Sequence, residues 1–188
     1  MQQIAESFIF ESEYLEMEEI SEIKHEYYQG EIFAMAGASE KHNLIVTNVI
    51  TALNTQLKKR PCRVYPGNMR LKIEETGLYT YPDVMAVCGE REFSNEKKNT
   101  LLNPDVIIEV LSDSTEGYDR GEKSRHYRQI DSLKEYILIS QNFRRIERYS
   151  RNHDHKWLLT ESDKTDGIIL LENIGCELSI PEVYDKTD

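Results

Sequence analysis

Residues 105–111 read DVIIEVL. Strand side chains alternate faces, so Val106, Ile108 and Val110 share one face, and Ile107, Glu109 and Leu111 the other. A strand this apolar is expected to be buried on both faces. Glu109 then sets a carboxylate beside a low-dielectric core, where an unpaired charge is costly. A metal ion, a basic partner or a functional cleft would offset that cost, and a structural salt bridge is the plain alternative. A second carboxylate, Asp83, follows Tyr81-Pro82 and precedes the apolar run VMAVC. At a strand end it can point into a cleft or close an ordinary Pro-Asp turn. The base-rich stretch 119–128, DRGEKSRHYR, sets Asp119, Lys123 and Tyr127 at i, i+4 and i+8. That spacing is one helical stripe, from which Lys123 can aim its amine at the carboxylates.

Two carboxylates on adjacent strands and one amine are the parts that metal-dependent phosphodiester cleavage uses. Carboxylates hold Mg²⁺ or Mn²⁺, hard cations that prefer oxygen ligands. The metal polarises the phosphate and lowers the pKa of a bound water. The amine stabilises charge developing on the phosphate. A backbone carbonyl such as that of Val110 can complete the coordination. A glycosidase acid/base pair uses the same residue types, but that chemistry depends on a separation that sequence does not give.

These residues need elements to hold them. Residues 11–22 predict a short acidic helix. Residues 25–36, HEYYQGEIFAMA, predict a hairpin turning at Gln29-Gly30. Leu44, Ile45, Val49, Ala52, Leu53 and Leu57 keep helical spacing, which predicts a helix over 40–59. Ser39 is its expected N-cap, and Pro61 its stop. Strands are expected at 63–65, 69–74, 84–88, 105–111, 135–140, 144–150, 156–160 and 168–171. Residues 89–103 read as a loop. Residues 119–130 read as a helix, with Asp119 and Glu122 spaced like a capping box. The order is that of an α/β (α+β) chain. It is expected to form one domain over 1–188, with an acidic helix and hairpin over 1–38 and the core over 39–188.

Specific residues now resemble a family. Pro82-Asp83, the apolar strand with Glu109 and the order of elements are similar to the PD-(D/E)XK, restriction-endonuclease-like superfamily. Its usual lysine lies two residues after the Glu, a position held here by Leu111. The Uma-two branch is closer. Its pattern is echoed by Gly30-Glu31, by Met35-Ala36-Gly37-Ala38-Ser39 with His42, and by Tyr81-Pro82-Asp83-Val84. The echo continues through Ile108-Glu109-Val110-Leu111-Ser112, Ser114-Thr115, Asp119-Arg120, Lys123 and Tyr127 to Glu135-Tyr136. In that branch the lysine has moved to the following helix, which points to Lys123. The resemblance implies a restriction-endonuclease-like core, a mixed central sheet flanked by helices. It implies a DNA endonuclease with Asp83, Glu109, Lys123 and His42 in catalysis. Asp83, Glu109 and Val110 would hold Mg²⁺ or Mn²⁺, and Glu31, Arg120 and Tyr127 would be accessory. A homodimer is expected, since cutting both strands is simplest with two-fold-related sites. The missing strand lysine also suits a second function: an inactive nuclease fold kept for binding DNA or protein.

Composition bounds these readings. The 188 residues carry 23 Lys+Arg against 34 Asp+Glu, a net charge of −11. That argues against a generic nucleic-acid coat protein, whose affinity rests on excess base. The charge is uneven: residues 1–40 hold ten Glu and one base, Lys24, and the remaining 148 residues carry 24 acids and 22 bases. The catalytic body is therefore nearly neutral. DNA binding is expected to be weak and metal-dependent, with the acidic segment away from the cleft. No apolar run approaches the ~20 residues that span a bilayer, and no secretory signal is evident at the N-terminus. Cys62, Cys88 and Cys176 form no CxxC pair. Cys88 reads as a buried thiol, and a reducing cytosol as the compartment. His153-Asp154-His155 reads as a loop.

Overall fold

The computed structural model describes residues 2–3, 8–35 and 37–187. The expected hairpin is built by β2 (His25–Tyr28) and β3 (Glu31–Ala34), beyond a two-residue β1 (Gln2–Gln3) and α1 (Glu11–Ile20). Its turn takes positive φ at Gln29 (49°) and Gly30 (86°), the two-residue turn whose twist matches paired strands. Ala36, the last residue of the expected hairpin segment, lies outside the described residues. Helix α2 spans Glu40–Leu57, and the Ser39 hydroxyl accepts from the His42 N–H at 3.1 Å. Its inward stripe, Ile45, Val49, Leu53 and Leu57, is 0–3% exposed, which is what anchors an amphipathic helix.

The strands β4 (Cys62–Pro66), β5 (Arg70–Ile73), β6 (Leu78–Thr80), β7 (Val84–Cys88), β8 (Thr100–Leu101), β9 (Val106–Leu111), β10 (Glu135–Ser140), β11 (Ile146–Arg151) and β12 (Trp157–Ser162) follow. They make two six-stranded sheets. One has the order β1-β3-β2-β6-β5-β8, the other β12-β11-β10-β9-β7-β4. The second is mixed: β9 and β10 are parallel, while β7 and β9 are antiparallel. A ribbon of β13 (Ile168–Leu171) and β14 (Cys176–Ser179) precedes α5 (Ile180–Val183).

The second sheet is the middle layer. Val106, Ile108 and Val110 pack with α2, the β13–β14 ribbon and α5. Ile107 and Leu111 pack on the other face with Leu71, Ile73, Leu78 and Tyr127. All six residues of β9 are buried, as the double-sided pattern requires. A third cluster, Tyr14, Tyr27, Ile32 and Tyr79, docks α1 on the first sheet.

Four expectations are corrected. The segment 89–103 is not wholly loop, because Thr100–Leu101 pairs in parallel with β5. Strands β6 and β14 were not anticipated: both are short, and each returns from the strand just before it, β5 and β13. The helix after Glu109 starts at Glu116 (α3, Glu116–Tyr118), not at Asp119. Asp119–Lys123 is instead a π-helical turn, continued by α4 (Ser124–Tyr127). Asp119 thus lies inside the helical segment and is buried, so it is not the N-cap of a helix. Finally, Cys88 is not a free thiol. Cys62 and Cys88 face each other across β4 and β7 and form a disulfide, leaving Cys176 as the buried free cysteine. Among the described residues no helix is long and apolar enough to cross a membrane.

Candidate active site

The antiparallel register of β7 and β9 pairs Val84 with Ile108. One step further brings Asp83, at the mouth of β7, beside Glu109. The contact is direct: the Asp83 N–H donates to Glu109 Oε2 at 3.2 Å, and the Val110 N–H donates to Asp83 Oδ2 at 2.7 Å. The two carboxylates are therefore clamped by each other's strand. Glu109 is 3% exposed, and its Oε1 accepts from the Tyr127 hydroxyl at 2.6 Å.

Lys123 arrives from the π-turn. Its Nζ lies 2.9 Å from Glu109 Oε1, 3.5 Å from Asp119 Oδ1 and 3.3 Å from Glu26 Oε1. A helical lysine normally reaches solvent, but this one is 5% exposed. The π-turn carries an extra residue per turn, a distortion common at functional sites. It turns Asp119 and Lys123 inward together, and the Tyr136 hydroxyl holds the Asp119 carbonyl at 3.0 Å.

His42, in the first turn of α2, places Nε2 3.0 Å from Asp83 Oδ1. Burial pulls this imidazole down, but the Asp83 bond and charge outweigh it and hold the pKa above the ordinary value. Lys24, the lone base of the acidic segment, sits at the rim. Its amine donates to the Gly67 carbonyl at 2.8 Å and to Asn68. Gly67 backs directly onto Pro82-Asp83, so Lys24 braces the turn beneath Asp83.

The electrostatics are lopsided. Glu26, Glu109 and Asp119 are each under 5% exposed and surround one ammonium. Burial pushes the Glu109 carboxyl well up despite the opposing pull of Lys123, and Asp83 and Asp119 add to the rise. Asp119 is raised for the same reason, burial foremost. Burial alone would lower Lys123, but Glu109 and Glu26 reverse this and hold it well above its ordinary value. Buried carboxylates in excess of cations are an environment that favours a further positive charge.

Asp83, Glu109, Lys123, His42, Tyr127 and the Val110 backbone thus come together. Two expected accessories do not join them. Glu31 is exposed at the start of β3. Arg120 is committed elsewhere, with forked bonds to Glu147 at 2.6 and 2.8 Å and a bond to Glu116 at 2.7 Å. Glu26 was missed. Its sequence, HEYY, sits among nine other glutamates in the first 40 residues, and nothing local distinguishes it. Asp119 is expected from the sequence as a cap, as a stripe neighbour of Lys123 and within the family echo, but not as a carboxylate of the site. The acidic segment is also not simply solvated: Glu18 accepts from the His25 N–H and the Tyr81 hydroxyl, and Glu11 pairs with Lys72 and Tyr79.

Comparison with known proteins bears on the family and the fold. A protein of Synechocystis sp. (strain ATCC 27184 / PCC 6803 / Kazusa), "Uncharacterized protein sll1609", is 41% identical over 172 residues, covering 92% of this chain and 93% of the relative. A second from the same strain, "Uncharacterized protein slr1290", is 35% identical over 174 residues, with 92% and 89% covered. The fold is similar to a crystal structure described as "a putative nuclease belonging to DUF820" from Anabaena variabilis ATCC 29413. The TM-score is 0.76 at 19% identity, covering 94% of this chain and 98% of that one. Residues 11–181 match the model of the Uma2 family, described as "Putative restriction endonuclease". The chain belongs to the Uma2 family, with a nuclease-type fold.

Proposed function

We propose that this chain is a divalent-metal-dependent endonuclease that hydrolyses DNA phosphodiester bonds. The observation that carries this is the buried group itself: Asp83 and Glu109 locked together across β7 and β9, with the Lys123 amine 2.9 Å from Glu109. The family's usual lysine position, Leu111, is buried apolar core. The amine comes from the next helix, which supports the migrated-lysine reading.

The donor chemistry suits Mg²⁺ or Mn²⁺. The candidates are carboxylate and carbonyl oxygens, and the site has more buried carboxylates than ammonium groups. Asp83, Glu109 and the Val110 carbonyl would hold the ion. The chemistry it supplies when bound is polarisation of the scissile phosphate and a lowered pKa for a water. The protein groups do the rest. Tyr127 fixes the orientation of Glu109, His42 orients Asp83, and Lys123 stabilises charge developing on the phosphate.

The test is cleavage of plasmid DNA by purified protein with Mg²⁺ or Mn²⁺. Asp83→Ala and Glu109→Ala should each abolish it. Lys123→Ala should reduce the rate by about 10²–10³-fold, as loss of one charge-stabilising group does. Cleavage that survives Glu109→Ala sinks the proposal. A two-fold dimer acting on both strands belongs to the same reading and is checked by light scattering. A second reading, an inactive DNA- or protein-binding module, draws on one observation. Among the described residues no three His, Cys, Asp or Glu side chains stand ready to hold a metal ion. Each oxygen of Asp83 and Glu109 already has a protein partner. Calorimetry with Mn²⁺ separates the two, since the nuclease reading requires binding that Asp83→Ala and Glu109→Ala remove.

A further inference from the structure

We propose that Glu26, supplied by the N-terminal hairpin, is the positioning residue for the Lys123 amine. It holds that amine against the first sheet, so that the amine stays in place when Glu109 turns to the cation. This rests on the nuclease reading above.

Three carboxylates surround Nζ, and they are not equivalent. Glu109, at 2.9 Å, is a proposed ligand, so its charge is shared when the site is loaded. Asp119, at 3.5 Å, lies one turn back on the lysine's own helical segment. Tyr136 of β10 ties its backbone to the second sheet, but its carboxylate belongs to the lysine's own segment and gives the amine no anchor on the first sheet. Glu26, at 3.3 Å, is neither. It stands on β2 of the other six-stranded sheet, and the Thr80 hydroxyl of β6 donates to the same Oε1. A carboxylate held from a separate layer is the one that can locate the amine in space.

Glu26 also lacks the marks of a structural residue. It is 2% exposed, yet its Oε2 makes no hydrogen bond. A buried carboxylate oxygen left unpaired weakens a fold. Glu26 adds a third buried acid around a single ammonium, which weakens it further. Stability therefore gives no reason for an acid here, whereas location of the amine does. Such a trade of stability for a working site is a recurrent pattern.

The test compares wild type with Glu26→Gln, Glu26→Asp and Thr80→Val. In metal-free protein with chelator, ¹⁵N-edited NMR of lysine ammonium groups should show a slowly exchanging Lys123 signal, assigned by its absence in Lys123→Arg. Glu26→Gln should lose that signal to exchange, and Glu26→Asp should retain part of it. Thr80→Val frees Glu26 Oε1 without removing the charge and should broaden the signal, so the proposal stays testable if Glu26→Gln folds poorly. In Mg²⁺, Glu26→Gln should lower kcat by about 10²-fold, the scale of a misplaced catalytic group. Its KM for DNA should stay unchanged, its melting temperature should not fall, and Glu26→Asp should rescue part of kcat. A Lys123 signal unchanged in Glu26→Gln overturns the proposal, as does a kcat loss that only tracks loss of folded protein. If wild type does not cleave DNA, the nuclease reading fails, while the ammonium signal still decides whether Glu26 anchors Lys123.

Discussion

Lys123→Met removes the one ammonium from a group of three buried carboxylates while keeping the length and bulk of the chain. In the native protein Nζ has oxygens at 2.9, 3.3 and 3.5 Å, from Glu109, Glu26 and Asp119. All four residues are 5% exposed or less. Solvent cannot step in for the lost cation. Removing one partner of a buried ion pair costs about 3–5 kcal/mol, because the charge left behind is uncompensated. For a chain of this size that corresponds to a fall in Tm of roughly 6–20 °C. The sign of the pH dependence follows from the carboxylates. Burial already raises Glu109 and Asp119 above their ordinary values even with Lys123 present. An acid raised in the folded state destabilises that state as pH climbs above its unfolded pKa, since the unfolded chain releases the proton first. Without Lys123 the rise is larger. The variant should therefore be nearest to wild type below about pH 4, where these carboxyls are largely protonated in both states, and fall progressively behind as pH rises to 8. Urea unfolding with chelator present, followed by tyrosine and Trp157 fluorescence at several pH values, measures this. Equal stability of Lys123→Met and wild type at pH 8 would refute the buried ion cluster on which the site rests.

Other perturbations probe the frame around the site. Cys62→Ser/Cys88→Ser opens a link across 26 residues of sequence, which should cost about 3 kcal/mol under oxidising conditions. Thiol titration of unfolded protein should find one reactive cysteine before reduction and three after, and three before reduction would refute the pairing. Tyr14→Ala removes a fully buried ring that stacks 4.9 Å from Tyr27, together with the Tyr14 hydroxyl that donates to the His25 carbonyl at 2.8 Å. It should cost about 3–5 kcal/mol, and a loss below 1 kcal/mol would show that α1 is not docked as described. His126 is buried, and burial with Arg125 nearby lowers its pKa. Its imidazole therefore opposes folding as pH falls below about 6.5, where the unfolded chain takes the proton first. His126→Phe should flatten that part of the stability–pH curve, and an unchanged slope would remove His126 as the cause.

Much of the site was legible in the chain. DVIIEVL is apolar on both faces, so one strand pattern was enough to predict a buried Glu109 and a doubly covered sheet. Tyr81-Pro82-Asp83 before VMAVC located the second carboxylate. The i, i+4, i+8 stripe singled out Lys123 and Tyr127, although the segment is π-wound where a regular helix was expected. In each case the information lies within one element, where side-chain periodicity reports which faces are covered.

What the sequence could not specify are the meetings between elements. Glu26 joins the site because β2 pairs with β6 through Tyr27 and Tyr79, and because the two large sheets face each other across Tyr28, Leu71, Tyr127 and their neighbours. Cys62 and Cys88 bond because the β4–β7 register sets them opposite, and a register depends on pairing between strands rather than on either strand alone. Arg120 looked available beside Lys123 but is taken by Glu147, a residue of β11. The sequence by itself determined which apolar strand and helix faces must be buried, and Glu109 with them, since local periodicity carries burial. Only the tertiary structure decided which buried charges share one space. It made the hairpin of the acidic segment, expected to lie away from the cleft, the source of a carboxylate 3.3 Å from the Lys123 amine.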